Sequence, residues 1–423
     1  MKIRPFWVLV HRYAGLAMTS FLIIVGLTGS LLAFYSELEQ WINPQLFAPT
    51  STAPRLSPTL LQARAERLVP QGIAQSVWLE DGAAQLDVEP RTNPANGKPY
   101  ELGFNQLILN PYTGEELGRR TWGAISEGTI NLMPFIYKLH YSLALDEIGG
   151  WILGITALVW TLDCFLGFYL TLPAAKRNMQ PVAVGPRRSF WQRWAPVWQI
   201  KWRGSRYRIN FDLHRAGGLW VWAMLLVFAW SSVYMNLSDS VYAPVTRAVF
   251  TDYHEPWIDF PDLEKPLGQP AVSWPEAYRV AVERMEQAAR EQGFIIQAPA
   301  GFRYNPTKGF YVYQVHSSAD IEDKHGSTRL VIDANTGAQK LLILPSGQYA
   351  GNTVTSWLAA LHMANVFGLP YRIFVCVLGL MIVMLSVTGV VIWLKKRKAR
   401  LLKSAVPVDP LAIQPQNVAS AKM

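Results

Sequence analysis

His11-Arg12-Tyr13-Ala14-Gly15-Leu16 and His214-Arg215-Ala216-Gly217-Gly218-Leu219 are two occurrences of one pattern, H-R-x-x-G-L. Each opens a long apolar run: residues 14–34 and 216–237 contain no charged side chain. Two more such runs follow, 149–172 with Asp163 alone inside it, and 373–394 with no charge. Other landmarks repeat in the same order. Leu107-Ile-Leu-Asn-Pro-Tyr-Thr113-Gly114 matches Leu330-Val-Ile-Asp-Ala-Asn-Thr336-Gly337, and Leu139-His140 matches Leu361-His362. A bilayer core of about 30 Å needs about 20 apolar helical residues to cross. The sequence therefore predicts four transmembrane α-helices in two tandem repeats, each repeat a span, a long polar segment and a second span. Two spans bring the chain back to its starting side. The halves share one orientation, and their pseudo-two-fold axis runs along the membrane normal.

Composition agrees. Of 423 residues, 50% are hydrophobic and 16% charged, against about 25% charged in soluble domains. Disordered and collagen-like chains are excluded, and a purely cytosolic enzyme is disfavoured. The mean hydropathy of +0.11 shows that much of the chain lies outside lipid. Seventeen Trp suit membrane interfaces. The net charge of +9 is unevenly placed. Lys2, Arg4 and Arg12 precede the first span; Lys176, Arg177, Arg187, Arg188, Arg193, Lys201, Arg203, Arg206 and Arg208 crowd the middle; Lys395-Lys396-Arg397-Lys398 follow the last. By the positive-inside rule these segments are cytoplasmic, so the charge is a topology signal and implies no nucleic-acid partner. The first span is uncleaved, because it is too long for a signal peptide and Glu37-Leu38-Glu39 follows it.

The domain reading follows. Residues 1–35 hold the first span, 36–138 a periplasmic domain, and 139–172 a His segment and the second span. Residues 173–213 form a basic, Trp-rich cytoplasmic linker suited to the anionic inner leaflet, and 214–237 the third span. Residues 238–361 form a second periplasmic domain, 362–394 a His segment and the fourth span, and 395–423 a cytoplasmic tail. Both outer domains read as α+β units of helix and antiparallel sheet. Ser273-Trp-Pro-Glu276 is a capping-box pattern opening a helix to about Gln292, with 60–68 as its shorter partner. Segments 302–316 and 328–344 alternate like strands, with a turn at Asn335-Thr-Gly337.

Four of the seven histidines stand beside spans: His11, His140, His214 and His362. The repeat axis puts symmetry-related residues at equal depth. His11 then faces His214 near the cytoplasmic surface, and His140 faces His362 near the outer one. Two imidazoles on facing helices suit the iron of a planar macrocycle, the arrangement of a bis-His haem b site. Gly15 and Gly218 lie one helical turn after their histidines and leave room for a flat porphyrin. Arg12, Arg215 and, on the outer side, Arg372 are placed for haem propionates. No C-x-x-C-H occurs, so any haem is bound non-covalently. A non-haem metal or a purely structural duplication also fits the pattern. Histidines near membranes often serve as interfacial anchors, arginines as topology signals and glycines as helix-packing residues.

These residues resemble the PepSY-associated transmembrane family over nearly the whole chain. The likeness rests on H-R-Y-A-G-L with Gly26-Leu-Thr-Gly29, on Leu139-His140, and on Leu361-His362 with Phe367-Gly368-Leu-Pro370-Tyr-Arg372. Leu385-Ser-Val-Thr-Gly389 and the two T-G turns of the PepSY-like outer domains complete it. The family includes inner-membrane ferric-siderophore reductases of Gram-negative bacteria with two b haems. The resemblance implies that His11 and His214 hold an inner haem and that His140 and His362 hold an outer one. Gly149-Gly150 stands where family members often have Gly-Arg. The expected activity is reduction of a ferric siderophore outside the inner membrane, releasing Fe(II), with two haems dividing the insulating layer of about 30 Å into shorter hops. No nucleotide-binding G-x-G-x-x-G unit is present, so an external donor, a quinol or a cytoplasmic reductase, is required.

Rival readings belong to other classes. The outer domains could be binding or inhibitory modules for periplasmic peptides or proteases, anchored by the spans, or the protein could be a transporter. Asp163 reads as a buried polar residue, His316 and His325 as surface residues, and Trp122, Trp151 and Trp357 as belt residues. Cys164 and Cys376 sit in different spans near opposite faces, so no disulfide is expected.

Overall fold

The computed structural model describes residues 3–174 and 188–404. Lys2, Lys176, Arg177 and Arg187, which carry part of the charge asymmetry, and the tail from 405 lie outside the described residues. In chain order the first half comprises α1 (Ile3–Leu32), α2 (Tyr35–Ile42), α3 (Pro58–Leu68), β1 (Gly72–Glu80), β2 (Ala83–Pro90), β3 (Gln106–Leu109), β4 (Glu116–Arg120), α4 (Leu132–Ser142) and α5 (Asp146–Thr171). The second follows as α6 (Phe190–Trp194), α7 (Arg206–Trp220), α8 (Trp222–Asn236), α9 (Ala243–Val249), α10 (Pro256–Asp259), α11 (Trp274–Gln292), β5 (Ile296–Asn305), β6 (Phe310–Ser317), β7 (Thr328–Asp333), β8 (Gln339–Ile343), α12 (Ala350–His362) and α13 (Gly368–Ser404).

Among the described residues α1, α5 and α13 are long and apolar enough to cross a membrane, and a fourth span exists if α7 and α8 count as one broken crossing. The apolar run 216–237 does not reveal that break. Val221 leaves the helical region (φ −108°, ψ 10°) with apolar residues on both sides of it. His140 and His362 lie on separate short helices, α4 and α12, ahead of α5 and α13. Both helices run into turns with left-handed residues, Leu143 and Ala144 after α4, Ala364 and Phe367 after α12.

The chain folds into two compact units. One comprises residues 1–19, 166–220 and 384–423. Its polar anchor is Asp212, fully buried on α7. Arg208 donates to it at 2.8 Å and Arg215 at 2.7 Å, so the buried charge is paired on both oxygens. Arg4 donates to the carbonyls of Leu170 and Leu172, groups that the end of α5 leaves without helical partners. Trp194 packs against Phe168, Trp191 and Trp198.

The other unit comprises residues 20–165 and 221–383. The two α+β segments expected from the sequence share one antiparallel sheet here, in the order β4-β3-β2-β1-β5-β6-β7-β8. Reading outward from the β1–β5 seam, each half has the same order. The seam pairs Ser76 with Arg303, Val77 with Phe302 and Trp78 with Gly301. Gly301 is required there, because a Cβ would lie 2.5 Å from the Trp78 ring. The strand-like segments 302–316 and 328–344 each resolve into parts of hairpins, β5–β6 and β7–β8. Helices α3 and α11 supply Leu61 and Met285 to a core that also holds Val77, Leu86, Phe302 and Leu330. Ser273 does precede α11, but its hydroxyl makes no cap bond, and Glu276 pairs with Arg279 instead. Away from that core, Arg120 at the end of β4 makes a buried ion pair with Glu39 of α2 at 2.6 Å and donates to Gln106.

In the same unit α1 and α13 cross closely. A Cβ on Gly26 would meet the Gly379 carbonyl at 2.8 Å, and one on Gly379 would meet the Gly26 carbonyl at 2.5 Å. Small residues permit this backbone approach. Asp163 is buried on α5, as expected, and both cysteines are free.

Phe302 is fully buried, stacks on Tyr311 and lies edge-on to Trp274. Phe302→Ala should remove about 3–5 kcal/mol of stability. Because both halves share the core, their melting, followed by tryptophan fluorescence, should shift downward as one transition. Separate transitions would mean that the halves fold independently.

Candidate functional site: two histidine couples

Each unit contains one histidine couple. In the first, His11 of α1 and His214 of α7 have ring centroids 6.2 Å apart and planes inclined at 54°. The Nδ1 of His214 lies 3.0 Å from the Leu385 carbonyl and 3.2 Å from the Thr388 hydroxyl of α13. A carbonyl only accepts, so this contact assigns the hydrogen to Nδ1. Gly389 is the seat of this ring, since a Cβ there would be 3.2 Å from its Cε1. Gly167 of α5 plays the same part for His11 at 3.5 Å.

In the second unit, His140 of α4 and His362 of α12 also have centroids 6.2 Å apart, with planes at 71°. The Thr28 hydroxyl donates to the Ile24 carbonyl at 2.7 Å, so its oxygen accepts from His140 Nδ1–H at 2.9 Å. The Ser231 hydroxyl donates to the Phe228 carbonyl at 3.1 Å and accepts from His362 Nδ1–H at 2.6 Å. A Cβ on Gly29 would touch His140 at 3.0 Å, and Phe228 stacks on His362 with centroids 4.8 Å apart.

Three of the four imidazoles thus carry hydrogen on Nδ1. In the neutral ring the other nitrogen, Nε2, then carries the lone pair that could hold a metal. The couple spacing can be tested against a bridging metal. Metal–nitrogen bonds of about 2.0 Å and ring nitrogens about 1.1 Å from their centroids would put two rings sharing one metal at most about 6.2 Å apart, centroid to centroid. Both couples match. Among the described residues no three His, Cys, Asp or Glu side chains converge to hold a bare ion. A macrocycle supplying four equatorial nitrogens needs only two protein ligands, so the residues present fit a bis-His haem.

Gly15 faces open space, with nothing within 4 Å of a built Cβ, whereas a Cβ on Gly218 would rest on Leu385 at 3.6 Å. Arg12 follows His11 on α1 and is half-buried. Arg215 is engaged by Asp212, and Arg372 by Glu37 and the Ala33 carbonyl. Either could serve a propionate only by sharing those partners. Gly149 is demanded by packing, because a Cβ would sit 1.6 Å from the Ser142 carbonyl. Sequence reasoning did not assign Thr28, Ser231, Thr388, Gly29, Gly167 or Gly389 as seats of the imidazoles. The Thr-Gly pairs inside the two apolar runs were the available signal. Trp151 and Trp357 are exposed, as belt residues would be. Trp122 instead joins Tyr137 and Tyr141 of α4 in one aromatic cluster on the helix that bears His140.

The fold and site define a membrane protein that couples apolar helices bearing paired histidines to an antiparallel sheet domain. The chain belongs to the PepSY-associated TM region family, which matches residues 8–396. None of the curated proteins matches it.

Thr28→Val keeps the shape but removes the acceptor of His140 Nδ1–H, at a cost of about 1–3 kcal/mol for the unsatisfied donor. Nitrogen NMR of labelled histidine in the cofactor-free protein should show the Nδ1–H tautomer at His140, His214 and His362. The variant should change the His140 signal alone. An Nε2–H tautomer at His140 in the native protein would contradict the hydrogen-bond assignment.

Proposed function

We propose that the protein is a di-haem transmembrane electron-transfer protein that reduces ferric siderophores at the outer side of the bacterial inner membrane and releases Fe(II). The observation that carries this reading is the spacing of two separate imidazole couples, each with ring centroids 6.2 Å apart. Membership of the PepSY-associated family supports the membrane setting. Bound at each couple, a non-covalent haem b would be held by the two histidines and would supply one-electron redox chemistry.

The chain's own residues have definite tasks in this scheme. His11 and His214 hold the inner group, and His140 and His362 the outer one. Thr28, Ser231 and Thr388 fix ring orientation and keep Nε2 free of hydrogen. Gly29, Gly167 and Gly389 let the rings lie against helix backbone. The basic N-terminus, linker and tail face the cytoplasm, where a quinol or a cytoplasmic reductase delivers electrons. The sheet domain faces the periplasm and receives the ferric chelate. Hard oxygen donors hold Fe(II) poorly, so one-electron reduction releases the metal.

Haem quantitation on the purified protein tests this directly. The expected result is a reduced b-type spectrum with two haems per chain. His11→Ala or His214→Ala should each lose one haem, and His140→Ala or His362→Ala the other. A colourless protein that binds periplasmic peptides or proteases would favour an anchored PepSY module instead. Any single variant retaining both haems removes that histidine from the ligand set.

A further inference from the structure

A cavity of about 170 Å³ opens inside the second unit, between the sheet and two of its helices. Gln314 of β6, Arg329 of β7 and Glu322 of the β6–β7 loop line one side, and Tyr234 of α8 with Thr355 and Ala359 of α12 the other. Its position relative to His362 follows from helix geometry. Thr355 and Ala359 precede His362 by seven and three residues, so all three share one face of α12. Tyr234 follows Ser231 by three residues on α8, and Ser231 accepts the His362 Nδ1 hydrogen. The cavity therefore begins one helical turn from that hydrogen bond on both helices.

The loop bearing Glu322 is tied to the turn after His362. Asp323 N–H donates to the Asn365 carbonyl at 2.6 Å, and Gly368 N–H donates to the Asp323 carboxylate at 3.0 Å. The Asn365 side chain lies close enough to Glu322 to favour its ionised form. This turn holds Ala364 at φ 54° and Phe367 at φ 60°, a strained backbone kept in place by those contacts.

The charges around Glu322 are accounted for element by element. Arg329 is committed to Glu255 through two bonds of 3.2 and 3.3 Å. Tyr234 on α8 carries no charge, α12 presents the uncharged Asn352, Thr355, Ser356 and Ala359, and Gln314 donates to the Gly326 carbonyl. Asp320 of the same loop adds negative potential, while Lys324 reaches Glu37 at 4.0 Å. Burial, reinforced by Asp320 and opposed by Asn365 and Arg329, pushes the Glu322 carboxyl up to about 7.

We infer that Glu322 is a proton-loading site for the outer histidine couple: it binds one proton from the periplasmic water when that site gains an electron and releases it on reoxidation. The inference rests on the proposed function. The step balances as one electron from the external donor and one proton from water, with a single O–H bond formed at Glu322. Its cause is electrostatic. A negative charge added in a low-dielectric interior raises the proton affinity of a nearby carboxylate, and by linkage the bound proton makes the site easier to reduce.

Potentiometric titration of the purified haem protein, followed optically across a pH series spanning neutrality, reads this out without turnover. One haem midpoint should fall as pH rises through neutrality and level off on either side, where Glu322 is protonated or ionised in both redox states. Glu322→Gln should hold that midpoint near its acid-side value at every pH and leave the other haem unchanged. The reduced-minus-oxidised infrared spectrum of the native protein should contain a carboxylic C=O band at neutral pH that E322Q lacks. A pH-independent midpoint, a slope surviving in E322Q, or a native infrared spectrum without that band overturns the inference. The native measurements decide the matter even if E322Q fails to fold. Absence of haem would sink the proposed function, whereas two haems with flat midpoints would sink this inference alone.

Discussion

An imidazole in an apolar helix environment needs its ring N–H satisfied, and the structure meets that need with hydroxyls whose own hydrogens are already directed elsewhere. Thr28, Ser231 and Thr388 each donate to a carbonyl of their own helix. Each oxygen can then accept only from Nδ1–H, and the opposite nitrogen keeps its lone pair. Much else follows from this arrangement. The rings must lie close to helix backbone, which requires glycine at positions 29 and 389. His140 and His362 sit on helices that end abruptly just after them, in the left-handed turns that follow α4 and α12.

The duplication is carried out differently in different layers of the structure. In the sheet it is regular. Four strands from each half add to one another through β1 and β5, and the two halves close a single core under α3 and α11. Around the histidines it is looser. His140 is held by Thr28 and His362 by Ser231, different residue types with the same hydrogen-bonding capacity. The turn after α12 is fastened to the β6–β7 loop through Asp323, whereas Leu143 and Ala144 after α4 bond back to α4 itself. The two halves therefore differ around one couple: the second half brings a cavity-lining carboxyl, Glu322, on the loop tied to the turn after His362.

The apolar runs, the repeated H-R-x-x-G-L and L-H landmarks and the clustered basic residues were legible in the chain alone, because lipid thickness, charge asymmetry and internal repetition impose patterns on composition. The four histidines could be paired from the repeat order for the same reason. The helix at 274–292 was legible, but its cap was not: the Ser273 hydroxyl makes no cap bond, and Glu276 pairs with Arg279 rather than reaching back to the cap. The break at Val221 was invisible because both flanks are equally apolar.

Sequence by itself determined that this is a duplicated membrane protein with four histidines beside its apolar runs, because those features are written in periodicity and residue type. Tertiary structure alone decided that the two α+β segments merge into one sheet, and that Thr28, Ser231 and Thr388 orient the rings. It alone also placed Glu322 beside the helix that bears His362. Edge strands carry no local mark of their partner, and a hydrogen bond between residues more than a hundred positions apart depends on where the helices pack.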